Sequence, residues 1–130
     1  MIGYVTVGSN DLEKSRSFYD ALMPTLGAGR MFEFGENFTM YGTGMGKPGF
    51  AVCKPYNGDA AAIGNGNMTA IACDTRGKVD AFYSKAMELG ASDEGPPGLR
   101  GEEGQQAFYG AYFRDPDGNK LCAFRIGPAD

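Results

Sequence analysis

Few side chains in this chain could carry out acid–base, nucleophilic or metal chemistry. None of the 130 residues is histidine, which excludes a histidine-based triad, a histidine general base and a histidine-ligated metal. The three cysteines, Cys53, Cys73 and Cys122, form no CxxC pair and leave an odd thiol. That usage is typical of a reduced setting, so we expect a cytoplasmic protein.

Charged side chains gather in a Gly- and Pro-rich stretch, residues 95–104. Glu103 could act there as a general base, and Arg100 could hold an anion. Adjacent acidic residues such as Glu102 and Glu103 are more often solvated surface charges, and we favour that interpretation. Catalytic residues are therefore not assigned from this stretch, and Glu103 remains only a candidate general base.

Glycine-rich segments elsewhere are better explained as turns than as ligand loops. Neither Gly42–Gly46 nor Gly64–Gly66 lies between a strand and a helix in the order that phosphate loops require. Asp115–Gly118 (Asp-Pro-Asp-Gly) lacks the acidic spacing of a calcium loop and predicts a type I turn that closes a hairpin.

The composition limits the partners. Sixteen acidic residues outnumber twelve basic ones and give a net charge of −4, which disfavours nucleic-acid binding. No apolar run approaches the ~20 residues of a membrane span, and no signal peptide opens the chain, so we expect neither membrane insertion nor secretion. With 42% apolar residues, the chain has the composition of a single globular domain.

A repeated pattern organises the chain, because residues 4–19 align with residues 68–83. Phe18-Tyr19 then falls on Phe82-Tyr83, and each apolar stripe predicts a helix, at about 11–23 and 76–89. Asn10 or Asp11 caps the first helix and Asp74 or Thr75 the second. Three strand-like stretches follow each helix, near 29–34, 37–41, 49–55, 91–93, 108–114 and 120–126.

These elements predict an α+β fold of two tandem βαβββ modules. Each module curls four strands into half of an open barrel, with the helices outside. The single domain comprises residues 1–130, with module one at about 1–56, a linker of small residues at 57–65 and module two at about 66–127.

The sequence resembles the vicinal oxygen chelate superfamily, the group of glyoxalases, bleomycin resistance proteins and extradiol dioxygenases. The resemblance spans nearly the whole chain and is carried by five segments: Met1–Gly8, Asp11–Tyr19, Gly64–Met68, Gly95–Arg100 and Phe108–Leu121. It implies the paired-module fold, a cavity inside the curled sheets and, commonly, a homodimer.

The resemblance also implies where a divalent metal would be held, by His and Glu side chains on the inner strands. Those positions fall on Tyr4, Met68 and Cys122, with the fourth on Ala51 or Cys53. None is a carboxylate or an imidazole, so we expect no divalent metal and no other cofactor. A soft ion such as Cu(I) can be bound by Met and Cys. Both residues are also common in apolar packing, and we favour that role for them here.

The alternation of side chains along the strands then predicts which residues form a ligand site. If Tyr4 points into the barrel, Thr6 points inward as well. If Cys122 points inward, so does Phe124. Together with Met68 and Arg100 these residues form the predicted ligand-binding set. Cys122 would need a lowered pKa to act as a nucleophile. Lys120 is assigned to the other strand face, which leaves no direct activator.

Three functions remain open at this point. The first is a protein that binds a small organic molecule in the barrel without metal. The second is a metal-independent lyase or isomerase of the glyoxalase type, with Tyr4 or Glu103 in acid–base roles. The third is a non-catalytic scaffold whose barrel is filled by Tyr4, Met68 and Cys122.

Overall fold

Eight strands and two helices follow one another in the predicted order in a computed structural model that describes all residues from Met1 to Asp130. In chain order these are β1 (Tyr4–Gly8), α1 (Leu12–Leu22), a 3-10 turn (Met23–Leu26), β2 (Gly29–Glu33), β3 (Phe38–Gly42), β4 (Gly49–Cys53), β5 (Thr69–Ala72), α2 (Arg76–Glu88), β6 (Ser92–Leu99), β7 (Phe108–Arg114) and β8 (Lys120–Ile126). No helix has the length and apolar character needed to cross a membrane.

Both helices begin at side-chain caps. The Asp11 carboxylate accepts a hydrogen bond from the Lys14 amide at 3.1 Å, and the Thr75 hydroxyl accepts one from the Lys78 amide at 3.1 Å. Each bond satisfies an amide that has no partner within the helix. Pro24 lies at the start of the 3-10 turn. Helix α1 ends there because the proline ring is incompatible with a further turn of α-helix.

The two sheets have the same strand order, which confirms the predicted fold of two βαβββ modules. The first sheet is ordered β1-β4-β3-β2 and the second β5-β8-β7-β6. In each, the outer pair β1–β4 or β5–β8 is parallel and the other pairs are antiparallel. No hydrogen-bonded strand pair joins the sheets, so the barrel is open, with β1 and β5 at free edges.

The hydrophobic core lies on the helical side of both sheets. The Phe18 and Leu22 side chains of α1 are buried in one cluster with Val52 of β4, and Phe82 of α2 packs against Phe113 of β7 with ring centroids 5.6 Å apart. Burying each such side chain stabilises the fold by roughly 1.5–3 kcal/mol. Alternate strand residues point the other way, and we call that surface the inner face.

Strand β6 is longer than predicted, and it contains Pro96 and Pro97. A proline cannot donate to a strand ladder, but β6 is the edge strand of its sheet, where that donor is not needed. The pairing with β7 shifts register on both sides of Gly95, whose positive φ of 150° is a conformation that favours glycine.

The hairpin between β7 and β8 ties the modules together. The buried Asp115 carboxylate accepts hydrogen bonds from the amides of Asp117 and Asn119, each at 2.9 Å, which forms the predicted turn. The Asn119 side chain donates to the Gly8 carbonyl of β1 at 2.9 Å, and the Tyr19 hydroxyl of α1 donates to Asp115 at 2.7 Å. The second module is thus fixed to the first at its hairpin.

Candidate ligand site between the two modules

Two adjoining cavities lie where the edge strands β1 and β5 approach each other. The larger has a volume of about 860 Å³ and the smaller about 460 Å³. Val5, Met68 and Thr69 line both, so the cavities adjoin, and we refer to the two together as the cleft between the modules. We call the larger part the apolar cavity and the smaller the polar cavity.

The apolar cavity is formed mainly by hydrocarbon and aromatic side chains. The 3-10 turn contributes Leu26, β4 contributes Phe50, and β5 contributes Ile71. Charged groups are also present in its lining, namely Lys47, Asp74 and Lys78. A cavity of this size and composition is typical of a small-molecule site.

The polar cavity is lined by hydrogen-bonding and cationic side chains, including Thr6, Asn67, Asn119, Arg114 and Lys120. Arg114 is already partnered, since its guanidinium contacts Glu94 at 2.7 Å and the Gly118 carbonyl at 2.9 Å. Lys120 makes no ion pair with any acidic side chain. The unneutralised charge in this cavity is therefore that of Lys120.

The segment between the modules forms one wall of the polar cavity, through residues 62–64, 66 and 67. It is held against the first module by Asn10, whose side chain donates to the Ala61 carbonyl at 3.0 Å and accepts from the Ala61 amide at 2.7 Å. Gly8 allows this close approach, because a Cβ there would lie only 2.9 Å from the Ala61 Cβ.

The predicted ligand-binding residues do not all reach the cleft. Thr6 and Met68 line it, whereas Tyr4, Arg100, Cys122 and Phe124 line neither cavity. Tyr4 is 57% exposed, and its ring meets that of Phe38 edge-on at 6.2 Å. Phe124 stacks on Phe108, with ring centroids 5.4 Å apart.

The inner face of the first sheet is covered by its own side chains. Phe38 contacts both Tyr4 and Phe32, at centroid distances of 6.2 and 6.1 Å. Met40 lies over Gly49, where a Cβ would come within 2.5 Å of the methionine sulfur. This layer leaves Ala51 fully buried beneath it.

Cys122 is only 1% exposed, and burial raises the pKa of its thiol. Tyr112, its cross-strand partner, opposes that rise, as do the charges of Arg100 and Lys120. The assignment of Lys120 to the opposite strand face is wrong, because residues two apart on a strand share a face. The Lys120 ammonium lies 5.6 Å from the Tyr112 ring centroid, on the same face as Cys122.

Glu103 lies on the helical side of the second sheet, away from Tyr4 and Cys122. Its carboxylate forms a two-point ion pair with Arg76 of α2, with one contact at 2.8 Å. The Arg76 guanidinium also lies 5.1 Å from the ring centroid of Tyr109, a helix-facing residue. The hydrogen bonds from Arg76 lower the pKa of Glu103.

The residues present do not fit the divalent metal that the resemblance implies. No three His, Cys, Asp or Glu side chains in the structure are close enough together to hold an ion. At the implied positions, Met68 is 45% exposed, Tyr4 packs on Phe38, and the buried Cys122 thiol has a raised pKa that disfavours the metal-binding thiolate.

Sequence reasoning did not find the apolar cavity. Leu26, Phe50 and Ile71 have the periodicity of core residues, and nothing in the sequence distinguishes a residue that lines a cavity from one that fills it. The position of Lys120 could have been found by counting strand alternation from Cys122.

Sequence comparison places most of the chain in one family. A profile of the Glyoxalase/Bleomycin resistance protein/Dioxygenase superfamily matches residues 1–123. No curated protein matches the chain.

Solved structures share the fold over nearly the full length. A glyoxalase/bleomycin resistance protein from Albidiferax ferrireducens T118 is 39% identical, with a TM-score of 0.84 over 96% of this chain and 98% of its own. A glyoxalase-related enzyme from Fulvimarina pelagi is 19% identical, with a TM-score of 0.70 over 96% and 87%. A lactoylglutathione lyase from Agrobacterium tumefaciens is 17% identical, with a TM-score of 0.63 over 96% and 92%.

Proposed function

The chain belongs to the glyoxalase/bleomycin resistance protein/dioxygenase superfamily, and from that premise we propose that it binds a small organic molecule in the cleft between its two modules, without a divalent metal. The observation that carries the proposal is the apolar cavity of about 860 Å³ that adjoins the polar cavity. Such a pairing suits a ligand with a hydrocarbon body and a polar group.

The arrangement of polar and apolar groups in the cleft also supports ligand binding. Thr6 and Asn67 offer hydrogen bonds at the polar end, and Lys120 offers a positive charge. At the other end, Ile71 and Phe50 offer apolar surface, and each Å² that a ligand buries there contributes roughly 25 cal/mol before the entropic cost of binding.

A fragment panel tests this proposal. Ligand-observed NMR on the purified protein in the presence of EDTA should identify organic fragments that bind. Ala70→Phe should abolish their binding, because Ala70 lines the apolar cavity and its side chain is exposed, so the larger ring fills the cleft without disturbing the core. Ala60→Phe, at an exposed position outside both cavities, is the matched control and should leave binding unchanged. A panel without hits, or hits that survive Ala70→Phe, would overturn the proposal.

A lyase or isomerase of the glyoxalase type finds less support in the geometry. Its acid–base candidates lie apart, since Tyr4 is on the inner face and Glu103 is paired with Arg76 on the helical side. Tyr4→Phe and Glu103→Gln would both have to reduce turnover of a glyoxalase substrate for that function to replace the binding proposal.

A second copy of the chain is proposed as the partner that covers the exposed apolar residues of the inner faces. Tyr4, Phe32, Met68 and Ile126 are between 45% and 57% exposed there. Apolar surface of this kind favours association. Analytical ultracentrifugation should find a dimer, and a monomer at all concentrations would contradict this part of the proposal.

A further inference from the structure

The Arg100 side chain folds back onto β6, the strand that precedes it. Its guanidinium donates from Nη1 to the Gly98 carbonyl and from Nη2 to the Pro96 carbonyl, each at 2.9 Å. It also lies 5.3 Å from the ring centroid of Tyr112. These contacts use two of the five N–H groups of arginine and leave three for another acceptor.

Two glycines make this arrangement possible. A Cβ at Gly95 would lie 3.1 Å from Arg100 Nη2, and one at Gly98 would lie 3.3 Å from Nη1. Side chains at these positions would therefore crowd the guanidinium where it lies over Tyr112. The Gly-Pro-Pro-Gly stretch fits a guanidinium that is prepared for binding before a ligand arrives.

A second cation lies against the same ring. Lys120 Nζ is 5.6 Å from the Tyr112 centroid, and Lys120 also lines the polar cavity. Neither Arg100 nor Lys120 forms an ion pair, although acidic residues outnumber basic ones in the chain. An anion bound beside this ring would be attracted by both positive charges.

We propose that the ligand is an organic acid whose carboxylate is held by Arg100 and Lys120 beside Tyr112, with its hydrocarbon part in the cleft. This rests on the proposed binding function and adds the chemical class of the ligand. A planar carboxylate matches the remaining N–H groups of the guanidinium, and charge-assisted hydrogen bonds are about twice as strong as neutral ones.

Matched pairs of acid and amide test the ligand class. Benzoate and benzamide, and phenylacetate and phenylacetamide, have the same hydrocarbon parts and differ in charge. In NMR titrations of the 15N-labelled protein, each acid should bind about tenfold more tightly than its amide and should shift the Arg100 Nε–Hε signal. Arg100→Gln and Lys120→Gln should each remove most of this preference.

The control separates a specific contact from a change in net charge. Lys54→Gln removes one positive charge from an exposed position outside the cleft and should leave the acid preference intact. Equal binding of acid and amide, binding of neither, or a preference that survives Arg100→Gln would overturn the organic-acid proposal. The proposed binding function has its own test, and it is overturned when fragments from the panel bind the Ala70→Phe variant as well as the parent.

Discussion

The hydroxyl of Tyr19 donates a 2.7 Å hydrogen bond to the carboxylate of Asp115, and both side chains are buried. The bond joins α1 of the first module to the β7–β8 hairpin of the second, next to the polar cavity. Burial raises the pKa of Asp115, and the hydrogen bond from Tyr19 opposes that rise. The Tyr19 hydroxyl therefore helps to keep a buried carboxylate ionised where the modules meet.

Tyr19→Phe should lower the free energy of unfolding by about 2 kcal/mol at pH 7, because it removes a donor from a buried charged acceptor. The loss should shrink as the pH falls through the pKa of Asp115, since the protonated carboxyl requires less stabilisation. Urea unfolding at several pH values measures both effects.

Tyr83→Phe is the matched control, because the Tyr83 hydroxyl donates to Asp93 at the same 2.7 Å distance but at an exposed site. Its loss of stability should be much smaller, since water replaces the missing donor. An equal decrease in the free energy of unfolding in the two variants would contradict a larger contribution from the buried hydrogen bond between the modules.

Glu103→Gln should lower the urea midpoint at neutral pH, because Arg76 is mostly buried and loses its charged partner. The folded protein holds the pKa of Glu103 below its ordinary value of 4.5, so the pair stabilises the fold above that pH and its contribution is lost as the pH falls through the lowered pKa. The variant and the parent should thus converge in acid. Glu102→Gln, which removes an unpaired exposed charge next to it, should have no effect, and a loss as large as that of Glu103→Gln would contradict this role.

The three thiols should react with iodoacetamide in an order set by exposure. Cys53 is partly exposed, whereas Cys73 and Cys122 are buried, and burial raises the pKa of all three. Mass spectrometry of the native protein after brief labelling should find Cys53 modified first. Cys122 as the fastest thiol would instead indicate an activated nucleophile and would revise its structural role.

Metal analysis of the purified protein should find zinc, nickel, manganese and iron well below one ion per chain. The inner positions supply a phenol, a thioether and a thiol of raised pKa rather than carboxylate or imidazole ligands. A stoichiometric ion that is lost on Cys122→Ala would contradict this prediction.

Local patterns in the sequence were sufficient to predict the modules. The apolar stripe through Phe18 and Tyr19 predicted the first helix, and the Asp115–Gly118 segment predicted the turn of the hairpin between β7 and β8. Both patterns are formed by residues close together in the chain. The length of β6 was underestimated, since Pro96 and Pro97 are tolerated only because that strand lies at a sheet edge. Edge position is a property of the assembled sheet.

The site was less predictable than the fold. Strand alternation placed Thr6 on the inner face, and the structure adds that it lines the cleft. The pairing of Glu103 with Arg76 links residues 27 positions apart and depends on how the loop folds back onto α2. The cleft itself exists because β1 and β5 are not hydrogen-bonded to each other, and no local sequence pattern encodes the space left between two edge strands.

Crystals of the protein soaked with the best-binding fragment in the presence of EDTA give the most direct test of metal-free binding between the modules. Electron density for the organic molecule should lie between Ile71 and Lys120, with no ion among Tyr4, Met68 and Cys122. Density for the fragment outside the cleft, or a divalent ion retained at those three side chains, would contradict the account.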